Sequence, residues 1–269
     1  MTGTAGPGAA FAERYQSVLV PVIFEPWARE LVRRGAPRPG EDILDLACGT
    51  GAVTREAAAR RGGGGRLAAA DHSAGMLEVA RMQAEAQGLQ AEWLEADAAA
   101  LPFGDDAFDV AFCQQALQFF PDRPAALREL HRVLRPGGRA VFCVQRELEA
   151  NPMLQAQEAA LARHAGPEAA AAVRAICGLP DAEEILQLFA GAGFRDVALE
   201  SVAMELHHPD AREFAAGAMG GMHTGDKLTG IGGERAAQAV DDFLAGLGPC
   251  FDGTGMRFPH VSHVIEARV

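Results

Sequence analysis

Short apolar runs alternate with longer stretches of helical periodicity from residue 40 to residue 145. The pattern predicts strands over Asp42–Leu46, Arg66–Ala70, Ala91–Glu95, Phe108–Cys113 and Arg139–Gln145, with helices over Val53–Arg61, Ala74–Gln87 and Arg123–Val133. Strand, helix and strand in this order describe a parallel, doubly wound sheet, because each parallel connection needs a crossover long enough to hold a helix. Gly62–Gly65 reads as a flexible turn, and Pro136-Gly137-Gly138 as the tight turn that feeds the fifth strand.

Outside this core the rhythm changes. Residues 1–10 are rich in Gly, Ala and Pro and read as a disordered tail. Phe11–Arg34 is helical in period but carries Pro21 and Pro26, which predicts two short helices with a bend, a lid over residues 11–34. Residues 40–145 form the cofactor-binding core. Glu147–Gly178 is Ala/Glu/Gln-rich with no paired strand, so residues 146–180 are expected to be an inserted helical cap. Residues 181–269 return to the core: a helix over Asp181–Gly191, capped by Asp181 and closed by Gly193, then strands Val197–Leu206 and Phe258–Ala267. These last two strands have no short crossover between them, so an antiparallel pairing at the sheet edge is expected. Between them, Pro209–Leu247 is helical but broken by the Gly-rich stretch Gly217–Gly233, a candidate mobile lid with Met219 and Met222.

A chain of 269 residues can be one large domain that buries roughly 75% of its unfolded surface, so its core needs no staples. The five cysteines are scattered and form no CxxC pair, which fits reduced thiols. No apolar run approaches the roughly 18 residues of a membrane span, and the first ten residues lack the regions of a signal peptide, so a soluble, cytoplasmic protein is expected. The net charge of −12 repels phosphate backbones and argues against nucleic acid as a partner, although ordinary solubility charge explains the same number. A small-molecule partner is the expectation, with a homodimer left open.

The chemistry concentrates just after the strands, where ligands of open α/β sheets bind. Asp45-Leu46-Ala47-Cys48-Gly49-Thr50-Gly51 is a cofactor-binding loop: an acid leaves the strand, glycines let the backbone approach a ligand, and a helix N-terminus follows. Asp71-His72 ends the second strand about 20 residues past the glycines, where a carboxylate can grip both ribose hydroxyls. Asp97-Ala98 ends the third, and Asp97 can accept from an exocyclic adenine amine. Taken singly, Asp45 or Thr50 could be a helix cap, Met76 a core residue and Asp97 a turn residue. A nicotinamide dinucleotide is the competing cofactor, but Thr54 stands where G-x-G-x-x-G has its third glycine, and Asp45 suits a cationic ligand end better than a pyrophosphate.

Together with Asp71–Leu77, Glu95–Ala98, Leu101-Pro102-Phe103, Phe108-Asp109-Val110 and Glu129–Gly138, the loop resembles class I S-adenosylmethionine-dependent methyltransferases, in their ubiquinone/menaquinone-biosynthesis-like small-molecule branch. The likeness covers residues 42 to 145, with weaker echoes in Tyr15–Trp27 and Phe258-Pro259. It implies a Rossmann-like fold: a doubly wound, mostly parallel seven-stranded sheet with an antiparallel edge strand and a helical cap. It also implies S-adenosylmethionine as cofactor and S-adenosylhomocysteine as product. By the same resemblance Asp45 faces the ammonium, and Ala47, Gly49, Thr50 and Gly51 form the loop that makes room for the carboxylate and ribose. Asp71 holds the ribose, His72 and Met76 pack near the adenine, and Asp97 and the Ala98 N–H bind it. The Gln114 backbone contacts the amino-acid end, and Tyr15 closes the pocket.

After the fourth strand the chain reads Gln114-Gln115-Ala116-Leu117, unlike the Asn-Pro-Pro-Tyr type of motif of many enzymes that methylate amide or base nitrogens. An oxygen, carbon or sulfur nucleophile, or a small amine, is therefore expected on a small, largely apolar acceptor, with Phe24, Trp27 and Phe119-Phe120 as candidate walls. The sulfonium activates the methyl, so a base is optional; candidates are Tyr15, His207, His208 and His223, with Gln118 as an orienting amide. His260 and His263 suggest no metal site, because their odd separation in a strand sets them on opposite faces. A protein of the same fold that binds the donor without transferring methyl is the alternative from another class.

Overall fold

The computed structural model describes residues 7–221 and 233–269. Seven strands form one sheet in the order β3-β2-β1-β4-β5-β7-β6: β1 (Ile43–Leu46), β2 (Leu67–Asp71), β3 (Glu92–Glu95), β4 (Phe108–Gln114), β5 (Leu134–Gln145), β6 (Arg195–His208) and β7 (Met256–Arg268). β1 to β5 pair in parallel, whereas β7 runs antiparallel to both β5 and β6. The antiparallel pairing expected at the edge is thus β6 with β7, and β7 lies one position inside the rim. β1 and β2 are buried at every residue, as strands covered on both faces must be.

Helices α3 (Ala52–Arg60), α4 (Ala74–Ala86), α5 (Arg123–Val133) and α8 (Ala182–Gly191) supply the crossovers. Local signals set their ends: Ser73 Oγ accepts from the Met76 N–H, Asp122 from Ala125, and Asp181 from Glu183 and Glu184. Pro136-Gly137-Gly138 does not precede β5 but bulges within it, since Leu134 pairs with Phe108 and Arg139 with Val110. Gly137 sits at φ +80°, and a Cβ on Gly138 would lie 2.7 Å from the Arg135 carbonyl oxygen.

The N-terminal arm departs most from expectation. Helix α1 (Pro7–Arg14) already occupies the second half of the expected tail, with Pro7 at its first position, where a missing N–H is harmless. Residues 1–6 lie outside the described residues. Pro21 does not break the arm into two helices. Tyr15–Phe24 is a π-helical segment that continues without interruption into α2 (Glu25–Gly35). Pro21 costs the segment one N–H, but the i→i+5 register does not require the carbonyl four residues back to sit against the proline ring as an α turn does, and Pro26 falls in the first turn of α2.

The expected cap consists of α6 (Pro152–His164) and α7 (Pro167–Ile176), and α6 packs on α10 (Gly233–Gly246). Gly217 does not end the preceding helix: α9 runs from Ala211 to Gly221. At Gly217 a Cβ would meet the Val18 methyls at 2.6 and 2.8 Å, so the glycine lets α9 press against the π segment. The remainder of the candidate lid, with Met222 and His223, lies outside the described residues.

Candidate functional site

β1 and β4 are neighbours, and their successors cross to opposite sides of the sheet, β2 outward from β1 and β5 outward from β4. A crevice opens at such a switch point. Two residues that are not glycine adopt left-handed backbone there, Ala47 (φ +55°) after β1 and Gln115 (φ +53°) after β4. Conformations of this kind cost roughly 1–3 kcal/mol and cluster at binding sites.

The first cavity is lined by Asp45, Ala47, Cys48, Gly49, Thr50, Ala52 and Val53 from the loop and α3, by Gln114 from β4, and by Tyr15, Val20 and Phe24 from the π segment. Asp45 is 1% exposed. Thr54 Oγ1–H donates to its Oδ2 at 2.5 Å, while Oδ1 is buried with no partner. Burial chiefly, with the Asp71 charge adding, raises its carboxyl from an ordinary 3.8 to about 7. An orphaned carboxylate oxygen beside a second acid is a site that a cation completes. Gly49 (φ +55°) has nothing within 4 Å of where a Cβ would stand, so the loop backbone is open to a ligand. Gly51 (φ +82°) has a different reason: its Cβ would lie 3.0 Å from the Trp93 ring.

Asp71 is buried, and its two oxygens accept from the Gly49 N–H at 2.7 Å and the Ser73 N–H at 2.9 Å. It therefore ties the tip of β2 to the loop after β1. His72 does not pack into the crevice: its side chain is 88% exposed. Met76 is buried under the N-terminal arm, with Ala12, Val79, Phe11 and Tyr15. Asp97 is exposed, and its Oδ1 accepts from the Ala99 N–H in its own turn, with Ala98 beside it half-buried. The Gln114 side chain donates to the Phe24 carbonyl at 2.7 Å and so anchors the π segment to β4.

Thr54 and Gln115 were not singled out as ligand-site residues from the sequence. Thr54 lies one turn into α3, and its position relative to Asp45 was the available signal. Gln115 Nε2 donates to Ser262 Oγ at 2.8 Å, a contact across 147 residues that leaves no local trace.

A second cavity adjoins the first, and Tyr15 and Phe24 line both. It is walled by Leu19, Ile23, Phe119, Met153, Leu154 and Ile176, with Gln115, Gln118, Gln145 and His260 as its other polar members. Among the described residues that line it there is no Asp, Glu, Lys or Arg. Positions 15, 19, 20, 23 and 24 share one face because the π turn is wider than the α-helical 3.6 residues. Tyr15 is packed against Phe24 at 4.8 Å between ring centres, and burial, then Asp71 and Cys143, push its phenol well above the usual range, which keeps it protonated at neutral pH and so unavailable as a base.

His207 and His208 line neither cavity. β6 lies four strands from β1, roughly 19 Å at the usual strand spacing. His208 Nδ1 instead meets the Asp210 backbone ahead of α9. His260 and His263 do point to opposite faces, one accepting from Trp27 and the other contacting the Pro180 carbonyl oxygen. No His/Cys/Asp/Glu cluster that could hold a metal occurs among the described residues, and none of their helices is long and apolar enough to cross a membrane.

Residues 44–142 match the methyltransferase domain family. The 2-phytyl-1,4-naphtoquinone methyltransferase of Synechococcus elongatus is 36% identical over 196 residues, 72% of this chain and 83% of the relative. The demethylmenaquinone methyltransferase of Thermus thermophilus is 44% identical over 115 residues, 43% of this chain and 52% of the relative. Among solved structures, a Haemonchus contortus phosphoethanolamine N-methyltransferase 2 in complex with S-adenosyl-L-methionine shares the fold with a TM-score of 0.62 at 18% identity, over 98% of this chain and 57% of the other. With the switch-point crevice and its orphaned acid, these likenesses establish that the chain belongs to the S-adenosylmethionine-dependent methyltransferases, in the ubiquinone/menaquinone-biosynthesis-like branch.

Proposed function

We propose that the protein transfers the methyl of S-adenosylmethionine, held in the first cavity, to a small, uncharged, largely apolar acceptor held in the second. The observation that carries this reading is the meeting of two unlike cavities at Tyr15 and Phe24, one with an unpartnered buried carboxylate oxygen and the other without a charged wall. The curated relatives are named for methylating naphthoquinone and menaquinone precursors, which supports an oxygenated ring as the acceptor.

The residues fit the donor. Asp45 Oδ1 would face its ammonium, Gly49 would admit its carboxylate end, and Asp71 would hold the ribose hydroxyls by exchanging or sharing its present backbone partners. Met76 and the Asp97-Ala98 turn would border the adenine, with His72 exposed at the rim. Thr50 and Gln114 would complete the wall. When bound, the donor supplies a methyl already activated by its sulfonium. The protein then has two tasks: Tyr15 and Phe24 confine the approach of the acceptor, and the apolar second cavity excludes water. Among the described residues no strong base lines the second cavity, which suits a nucleophile that is already acidic or electron-rich.

The same reading takes the enzyme to be cytoplasmic and to work without a nucleic-acid partner, consistent with its net charge of −12. A homodimer is testable by light scattering. Incubation with labelled donor and a panel of reduced quinones, phenols, thiols and enolisable ketones is expected to give a methylated product from an oxygenated ring. Donor binding without product from any acceptor would support a non-transferring protein instead.

A further inference from the structure

His260 is a buried imidazole, 4% exposed, and it lines the second cavity. Trp27, itself fully buried on α2, donates its indole N–H to His260 Nδ1 at 2.8 Å, across 233 residues. An indole nitrogen only donates, so Nδ1 must be the acceptor and the ring's single proton must sit on Nε2. Among the described residues Nε2 has no partner, yet it is not among the buried polar atoms sealed without one. On the same face of β7, two residues along, Ser262 holds Gln115. Gln118 Nε2 donates to the Gln115 carbonyl at 3.2 Å, which leaves the Gln118 side-chain oxygen buried and unpartnered.

We propose that His260 is a specificity-determining hydrogen-bond donor whose Nε2–H grips an oxygen of the acceptor, and that Gln118 Oε1 receives the hydroxyl hydrogen of that acceptor. Trp27 is a positioning residue that fixes the tautomer. The acceptor class that satisfies this pair is an uncharged ring bearing a hydroxyl group, with its remaining surface apolar. Burial pulls the imidazole down to about 3, so it stays neutral throughout the physiological range and acts as donor, not as general base. An anionic or cationic acceptor would find no countercharge among the described walls of the cavity and is disfavoured. The inference rests on the methyltransferase reading for its reaction, but not for its recognition chemistry.

Binding of 2-naphthol and naphthalene to the full chain in the presence of S-adenosylhomocysteine tests it. The wild type is expected to prefer 2-naphthol by about tenfold or more, because a site built around a hydrogen bond rejects the analogue that lacks it. His260→Phe is expected to erase that preference, His260→Gln to restore part of it, and all three proteins to bind S-adenosylhomocysteine equally. Equal binding of the two probes by the wild type, no binding of either, or a preference that survives His260→Phe overturns the proposal. Nitrogen-15 NMR of the wild type gives a second test that needs no variant: His260 is expected to be the neutral Nε2-protonated form from about pH 6 to 8, and an imidazolium or an Nδ1-protonated ring overturns it. Loss of donor binding in the wild type would instead defeat the methyltransferase reading, so the two failures are distinguishable.

Discussion

The cavity at the tip of β1 takes its carboxylate and its open backbone from residues 45 to 53, whereas the cavity beside it draws its polar groups from residues as distant as Gln115 and His260. The first is acidic, and part of it is unsatisfied: Asp45 keeps a free oxygen and a carboxyl raised to about 7. The second is neutral, and its imidazole is held uncharged by burial. One half of the site is thus prepared for a cation and the other for an oxygenated apolar ring. The difference lies in construction as well. The loop from β1 into α3 supplies most of the donor half, with the π segment and Gln114 completing it, while tertiary packing of the same segment against α6, α7 and β7 builds the acceptor half.

The contrast breaks most visibly at Asp45. Its folded-state carboxyl lies above the ordinary 3.8, so the penalty for ionising it is absent below about pH 4, grows as pH rises, and is complete above about pH 7. Asp45→Asn removes a pH-dependent penalty on the order of 4 kcal/mol, less about 1–3 kcal/mol for the amide group left without a partner. Denaturant unfolding at acid and alkaline pH is expected to show the variant gaining on the wild type as pH rises. Parallel pH profiles would mean that the charge is not buried.

Asp71→Ala is the next largest effect. It removes the acceptor of the Gly49 and Ser73 N–H groups and should weaken donor binding by roughly 1–3 kcal/mol, read by calorimetry. Gln114→Leu leaves Asp45 and Asp71 in place but cuts the π segment loose from β4, at about 1 kcal/mol of stability. A rise in acceptor KM with donor affinity kept would place its effect in the second cavity. Gly217→Ala is expected to be smallest: overpacking against Val18 by about 1–3 kcal/mol is partly offset by about 1 kcal/mol of helix propensity. A thermal melt shifted upward would show that the α9 contact is loose.

The donor half was readable in the sequence because its determinants are local. The loop from Asp45 to Gly51 follows its strand directly, and Asp71 and Asp97 end the next two. The arm misled for a physical reason: proline is a helix breaker in an α register, and nothing in Tyr15–Phe24 announced that an i→i+5 register would absorb Pro21. The sequence pairs His260 only with His263, because its actual partner, Trp27, lies at the other end of the chain. His207 and His208 attracted notice as a loop-end pair, but strand order, which no local pattern encodes, carried them to the rim. Thr54 was read only as a missing glycine, although its hydroxyl fixes one oxygen of Asp45 and leaves the other free.

The central claim, that a cation completes Asp45, is tested most directly by calorimetry of S-adenosylhomocysteine binding across pH in buffers of different ionisation enthalpy. Below about pH 7 the wild type is expected to release one proton on binding and to lose about tenfold in affinity per pH unit, with neither effect in Asp45→Asn, which should bind weakly throughout. Wild-type affinity in Asp45→Asn, or binding by the wild type without proton release on the acid side, would contradict it.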